Sequence, residues 1–211
     1  MKHPPSPATD AILAAAGVSR ETHAALDRFA ELLLRWNRTV NLIARRDEDA
    51  LWDRHIADSL QLVPLIGPRP ARAIDLGSGG GFPGLLLAIV TAIPFDLIEA
   101  DQRKAAFLRE AARITGAPAS VHASRIEAAR IPPAPLITAR ALAPLPDLLA
   151  LAAPLLAPGG CCLFLKGVNA DAELTAATGE WHIHAERFPS RTAPGASILR
   201  ISEIARAAAP P

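Results

Sequence analysis

The sequence predicts an α/β fold: a mostly parallel seven-stranded sheet with helices on both faces, closed by a C-terminal antiparallel hairpin and preceded by N-terminal helices. Three observations predict it. Short apolar strands alternate with helical stretches from Ala71 onward, a glycine cluster follows the first of those strands, and two alternating runs close the chain. Its 211 residues can bury one substantial core with a small addition in front, which divides the chain into a helical region (1–70), an α/β domain (71–206) and a disordered tail (207–211).

In the N-terminal region Asp10–Ala16 reads as a short helix ended by Gly17. Pro4, Pro5 and Pro7 ahead of it read as a frayed end. Leu26, Phe29, Leu33, Trp36 and Val40 recur at spacings of three and four, the stripe of an amphipathic helix with Ser19 as its N-cap. A third helix is expected from Asp47 to Leu62, stopped by Pro64 and the Gly67–Pro70 linker.

Strands are expected at Ala73–Leu76, Phe95–Glu99, Ser120–Ala123, Leu136–Ala139 and Cys161–Lys166, the last entered through a Gly159-Gly160 turn. Between them lie helices at Leu85–Thr91, Gln102–Thr115 and Asp147–Leu156. Beyond Asp171 come a helix and then Trp181–Phe188 and Ile198–Ile204, which suit a hairpin.

Half the residues are hydrophobic, a fifth are charged and the net charge is +1, so any nucleic-acid surface must be local. No apolar stretch reaches the ~20 residues a membrane span needs, and the N-terminus lacks the apolar run of a signal peptide. A soluble cytoplasmic protein is expected, with no membrane partner. The adjacent Cys161 and Cys162 suit neither a disulfide framework nor a spaced metal site and read as buried strand residues.

Asp75-Leu76-Gly77-Ser78-Gly79-Gly80-Gly81-Phe82-Pro83-Gly84 lies at the carboxyl end of the first strand, where doubly wound sheets bind nucleotides. Gly79 to Gly84 satisfies the dinucleotide pattern, with Glu99 some 20 residues on as a ribose acid. The register from Asp75 through Gly77, Gly79 and Gly81 instead gives the loop of S-adenosylmethionine enzymes. The hairpin, and the lack of a recognisable hydride-transfer site, favour the methyl donor over a nicotinamide. Gly79 belongs to both registers and is expected to bind the cofactor, while Glu99 and Asp101 compete to hold its ribose; Glu99, ending the apolar strand, is the expected acid.

These residues sit within a longer set. Trp36-Asn37-x-x-x-Asn41-Leu42, Arg54-His55-Ile56-x-Asp58-Ser59, the Asp75–Gly84 loop, Arg103-Lys104-x-x-Phe107-Leu108, Ser124-Arg125-Ile126-Glu127, Arg140-Ala141 and Leu165-Lys166-Gly167 occur in that order. In this the chain resembles the glucose-inhibited division protein B family, bacterial methyltransferases acting on N7 of a guanine in 16S ribosomal RNA. The resemblance runs from about Leu33 to Gly167. Ile43 stands where the family often has Thr, Glu99 where many members have Asp, and the C-terminal third matches poorly.

The resemblance implies a Rossmann-like S-adenosylmethionine methyltransferase fold, with Gly77 and Phe82 against the cofactor. It implies Ile126 and Glu127 at the adenine end and Arg140 beside the active site, both binding the cofactor and acting as an orienting group rather than a base. Guanine N7 carries an in-plane lone pair and no proton, so transfer needs positioning and electrostatics rather than a general base or nucleophile. The residues agree: Thr138-Ala139-Arg140-Ala141 lacks the motif used on exocyclic amines, and both cysteines lie inside a strand. Candidates to contact 16S rRNA, naked or in the small ribosomal subunit, are Asn37, Arg54, His55, Arg125 and Lys166. Each has an alternative: Asp47, Glu48, Asp49 and Asp53 dilute the arginine cluster, His55 suits a structural histidine, and Arg140 a structural salt bridge. A monomer without a metal is expected.

Overall fold

The computed structural model describes residues 6–207. Its sheet has seven strands in the order β3-β2-β1-β4-β5-β7-β6. Strands β1 (Ala73–Leu76), β2 (Phe95–Ile98), β3 (Ala119–His122), β4 (Ala134–Arg140) and β5 (Leu156–Lys166) pair in parallel. The last strand, β7 (Ser197–Arg206), pairs antiparallel with both β5 and β6 (Trp181–Pro189). The order reverses between β1 and β4, which makes their carboxyl ends the crevice where such sheets bind ligands.

Alternation along the buried strands feeds both faces. Ile74, Leu76 and Ile137 pack with α6 (Leu145–Ala152) and α7 (Ala170–Thr178), whereas Ala73, Leu136 and Leu163 face the opposite layer. That layer holds α4 (Gly84–Thr91) and α5 (Gln102–Thr115), covered in turn by α2 (Arg20–Trp36), with α1 (Pro7–Ala15) in the same apolar cluster. Leu26, Phe29 and Leu33 of α2 are wholly buried there. Phe29 meets Phe82 edge-on at 5.7 Å, and Phe107 of α5 at 6.1 Å. The N-terminal helices therefore share one apolar cluster with the sheet.

Four expectations need adjustment. Pro7 is no part of a frayed end: it occupies the first turn of α1, where its missing N–H costs nothing, and Ser6 caps that helix. Pro4, Pro5 and residues 208–211 lie outside the described residues. Val40 lies past the end of α2. The expected helix from Asp47 to Leu62 is broken into a 3₁₀ turn at Arg45–Asp47, a π-helical turn at Trp52–Ile56, α3 (Ala57–Leu60) and a 3₁₀ turn at Val63–Leu65. Gly159 and Gly160 fall inside β5, where four residues bulge out between the pairs Ala134–Leu156 and Leu136–Cys161. Cys161 is half-buried and Cys162 buried in the same strand, and burial pushes the Cys162 thiol well up.

Candidate active site

The glycine loop leaves β1 with positive φ at Gly77 (64°), Gly79 (53°) and Gly81 (90°). It is pinned by the Ser78 N–H donating to the Ile98 carbonyl at 3.0 Å and by the Gly81 N–H donating to the Ser78 carbonyl at 2.7 Å. Gly79 marks the loop's open side. A Cβ there would find only the Gly77 carbonyl, at 3.8 Å, so the backbone is bare towards whatever binds. Gly84 is needed for the opposite reason: a Cβ on it would fall 2.3 Å from the Cβ of Asp75, so α4 packs hard onto β1.

Asp75 is fully buried and accepts a 2.6 Å hydrogen bond from Thr138 Oγ1, while its Oδ2 has no partner among the described residues. Burial raises its pKa to about 6. Glu99, 9% exposed at the end of β2, reaches back to the loop. Its Oε2 accepts from the Gly79 N–H and its Oε1 from the Asp101 N–H, both at 2.8 Å. Asp101 is the N-cap of α5, accepting from the Arg103 and Lys104 amides, which hold its carboxyl low. Of the two competing acids, Glu99 is the one beside the loop. A bare backbone with a carboxylate at its rim fits a ribose-bearing cofactor. Ile126 and Glu127 lie in a 3₁₀ turn just after β3, Ile126 half-buried and Glu127 exposed.

Next to the loop, a cleft of about 820 Å³ opens at the carboxyl ends of β4 and β5. The π turn (Arg54, His55) and Asp58 form one wall, Arg140–Pro144 and Lys166 another, and the β6–β7 loop (Ser190–Ala196) a third. Arg140 joins the cleft to the glycine loop. Its Cζ lies 4.7 Å from the centre of the Phe82 ring, which is buried among Phe29, His55 and the loop itself. Its Nη1 donates to Asp58 Oδ2 at 3.2 Å and its Nη2 to His55 Nδ1 at 2.8 Å. Burial lowers the Arg140 pKa, while Asp58 opposes that shift. Burial, then Arg140, pushes His55 down to about 4, so its imidazole is neutral, with Nδ1 accepting from the guanidinium.

Asp58 also carries the third wall. Its Oδ1 accepts from Thr192 Oγ1 at 2.6 Å and from Gln61 Nε2 at 2.8 Å. Gln61 Oε1 in turn accepts from the Arg191 amide at 2.8 Å. Sequence reasoning missed Gln61, Ser190, Thr192 and Glu173 altogether. Asp58 was visible only as part of the Arg54–Ser59 motif, and polar residues beyond the Leu165–Gly167 motif gave no signal.

The five candidate RNA contacts separate. Arg54 is 62% exposed at the cleft wall, held by Asp47 at 3.2 Å, and Arg125 is exposed. His55 lies in the cleft wall against Phe82. Asn37 is a correction: it is 6% exposed, its Oδ1 accepts from the Leu42 and Ile43 amides, and its Nδ2 donates to Glu48 at 2.6 Å. With every group engaged inside the fold it shapes the turn after α2 and presents nothing to RNA. Lys166 is no free phosphate contact either. Its Nζ lies 2.5 Å from Glu173 Oε2 and donates to the Ala143 carbonyl at 2.9 Å, which neutralises it at the cleft.

The model of the GidB family, described as rRNA small subunit methyltransferase G, matches residues 22–195. A Ribosomal RNA small subunit methyltransferase G from Gluconobacter oxydans is 59% identical over 189 residues, covering 90% of this chain and 97% of that one. The protein of that name from Granulibacter bethesdensis is 58% identical, covering 92% and 91%. Among solved structures, cofactor-bound Rv0187 from MTB aligns with a TM-score of 0.58 at 16% identity, over 94% of this chain and 98% of that one. An O-methyltransferase from Bacillus cereus in complex with SAH aligns with a TM-score of 0.56 at 15% identity, over 83% and 91%. At these identities the two structures speak for the fold.

Proposed function

Because the chain belongs to the rRNA small subunit methyltransferase G family, and so is an S-adenosylmethionine-dependent rRNA methyltransferase, we propose that it methylates N7 of one guanine in 16S rRNA. The observation that carries this reading is the joint made by Arg140. One side chain touches the glycine loop through Phe82 and lines the 820 Å³ cleft, so the two reactants meet across it. S-adenosylmethionine, when bound, supplies an electrophilic methyl group.

The residues we assign to holding it are Gly77, Gly79, Phe82 and Glu99, with Ile126 and Glu127 at its adenine end. Arg140, fixed by Asp58, His55 and Phe82, is the residue we assign to orienting the incoming base. No proton has to be moved, and the cleft suits that: His55 is held neutral with its Nδ1 occupied by Arg140. Arg54 and Arg125 are the residues we assign to the RNA backbone. Among the described residues no helix is long and apolar enough to cross a membrane. We place the protein in the cytoplasm, acting as a monomer.

Methyl transfer to small-subunit particles and to deproteinised rRNA, with the product base mapped, tests this. The expected product is 7-methylguanine at a single position. A methyl group on another atom, or on another base, overturns the assignment.

A further inference from the structure

Resting on that guanine reading, we infer that the Lys166–Glu173 pair reads the O6 and N1–H edge of the target base and so selects guanine over adenine. Both side chains line the cleft that Arg140 enters. Lys166 comes from the end of β5 and Glu173 from the first turn of α7. Their side chains are 8% and 23% exposed, so the pair is largely withdrawn from solvent while still forming cleft surface.

The hydrogen-bond inventory leaves a defined pattern free. Glu173 Oε2 does the structural work, taking both the Lys166 ammonium at 2.5 Å and the Leu145 amide at 2.8 Å. Glu173 Oε1 has no partner among the described residues, and it is not among their buried unpaired atoms. The ammonium carries three protons, and its neighbours are Glu173 and the Ala143 carbonyl. One donor and one acceptor are thus left side by side on the cleft wall. Guanine shows the complement: O6 accepts while N1–H and the 2-amino group donate. Adenine reverses the order, with N6 donating and N1 accepting, and would set donor against donor and acceptor against acceptor. The edge that begins at O6 adjoins N7, so a base offering N7 to the glycine-loop side turns O6 and N1–H along the same cleft. Because the ion pair is neutral overall, it discriminates by order of donor and acceptor rather than by charge.

Glu173→Gln separates this role from the structural one. Its amide oxygen can still accept from Leu145 and Lys166, while its amide nitrogen turns the free acceptor into a donor. The test uses small-subunit rRNA carrying guanine, inosine or 2-aminopurine at the mapped target position. Inosine keeps O6 and N1–H, whereas 2-aminopurine lacks both. For the wild-type protein, inosine should react within a few-fold of guanine, and 2-aminopurine at a kcat/KM lower by about tenfold to a hundredfold. In Glu173→Gln the guanine to 2-aminopurine ratio should shrink about tenfold, with S-adenosylhomocysteine affinity unchanged. Comparing ratios between the two proteins cancels the intrinsic nucleophilicity of each N7.

Equal wild-type rates on guanine and 2-aminopurine overturn the inference without any variant. So does a loss on inosine as large as on 2-aminopurine, or an equal fall on all three bases in Glu173→Gln. Product mapping in the wild-type guanine reaction keeps the two readings apart. A methyl group away from guanine N7 defeats the proposed function, whereas 7-methylguanine formed without base discrimination defeats only the Lys166–Glu173 assignment.

Discussion

The two halves of the site are built differently. Apart from the Ile126–Glu127 turn, the cofactor edge comes from one stretch of chain, Asp75 to Asp101, held by backbone hydrogen bonds and by Glu99 folding back onto Gly79. The cleft beside it is assembled by side chains from distant segments. Arg140 bonds His55 across 85 positions, and Thr192 bonds Asp58 across 134. A site made of consecutive backbone leaves its mark as glycine spacing, whereas a site made of long-range pairs leaves polar residues that look like any others until the chain folds.

If that division is real, the largest effect comes from breaking the cofactor edge alone. Gly79→Val puts a β-branched residue at φ 53° and its side chain into the loop's open side. Calorimetry should detect no S-adenosylhomocysteine binding, with circular dichroism unchanged. Full affinity in the variant would reduce the loop to a turn.

The halves also oppose one another in pH. Asp75, under the loop, has its pKa raised from 3.8 to about 6 by burial, so the folded state binds its proton more tightly than the unfolded chain does. Its contribution to stability is full below pH 3.8 and is lost as pH rises through 6. His55, in the cleft wall, is lowered from 6.5 to about 4 by burial and Arg140. Its contribution is full above pH 6.5 and is lost as pH falls through 4. Each corresponds to about 3 kcal/mol across its window, with opposite signs. Between pH 4 and 6 the wild-type slopes from these two groups should nearly cancel. Asp75→Asn should then lose stability on acidification by about 1.4 kcal/mol per pH unit, and His55→Gln should gain by a similar amount. Denaturant midpoints read at several pH values check this, and parallel profiles for both variants would sink it.

What could be read from the chain follows the same division. The strand Ala73–Leu76 and the helix Gln102–Thr115 were legible to the residue, because apolar runs bounded by glycine and a capping acid fix them locally. The loop and Glu99 were legible through spacing. The broken helix over Arg45–Leu65 was not: periodicity cannot show a π turn whose Arg54 and His55 are held by Asp47 and Arg140. Nor could it show that Asn37 spends its polar atoms internally or that Lys166 is paired with Glu173, since a free and an engaged amide or ammonium read alike in sequence. Glu173 and Thr192 lie in the third of the chain where the motifs give out.

A smaller effect tests the carboxylate of the cofactor edge, which the Gly79 and Asp101 amides both use. Glu99→Gln should weaken S-adenosylhomocysteine binding by about 1–3 kcal/mol through loss of charge-assisted hydrogen bonds. The KM for rRNA should stay unchanged. An unchanged cofactor affinity would move the ribose role off Glu99.

The smallest change breaks the cleft side only. Thr192→Val deletes the hydroxyl that donates to Asp58 Oδ1 at 2.6 Å, keeping the side chain's shape. Asp58 retains Gln61 and Arg140, so the guanidinium stays over Phe82 while the Ser190–Ala196 wall loses one of its ties. At about 1 kcal/mol for such a bond, the KM for rRNA should rise about fivefold. The dissociation constant for S-adenosylhomocysteine should not move, because no element of the 75–101 stretch bonds to that wall. A loss of cofactor affinity as large as the loss towards RNA would mean that the loop and the cleft behave as one unit. The contrast between a backbone-built edge and a side-chain-built cleft would then describe their origin in the sequence but not their energetics.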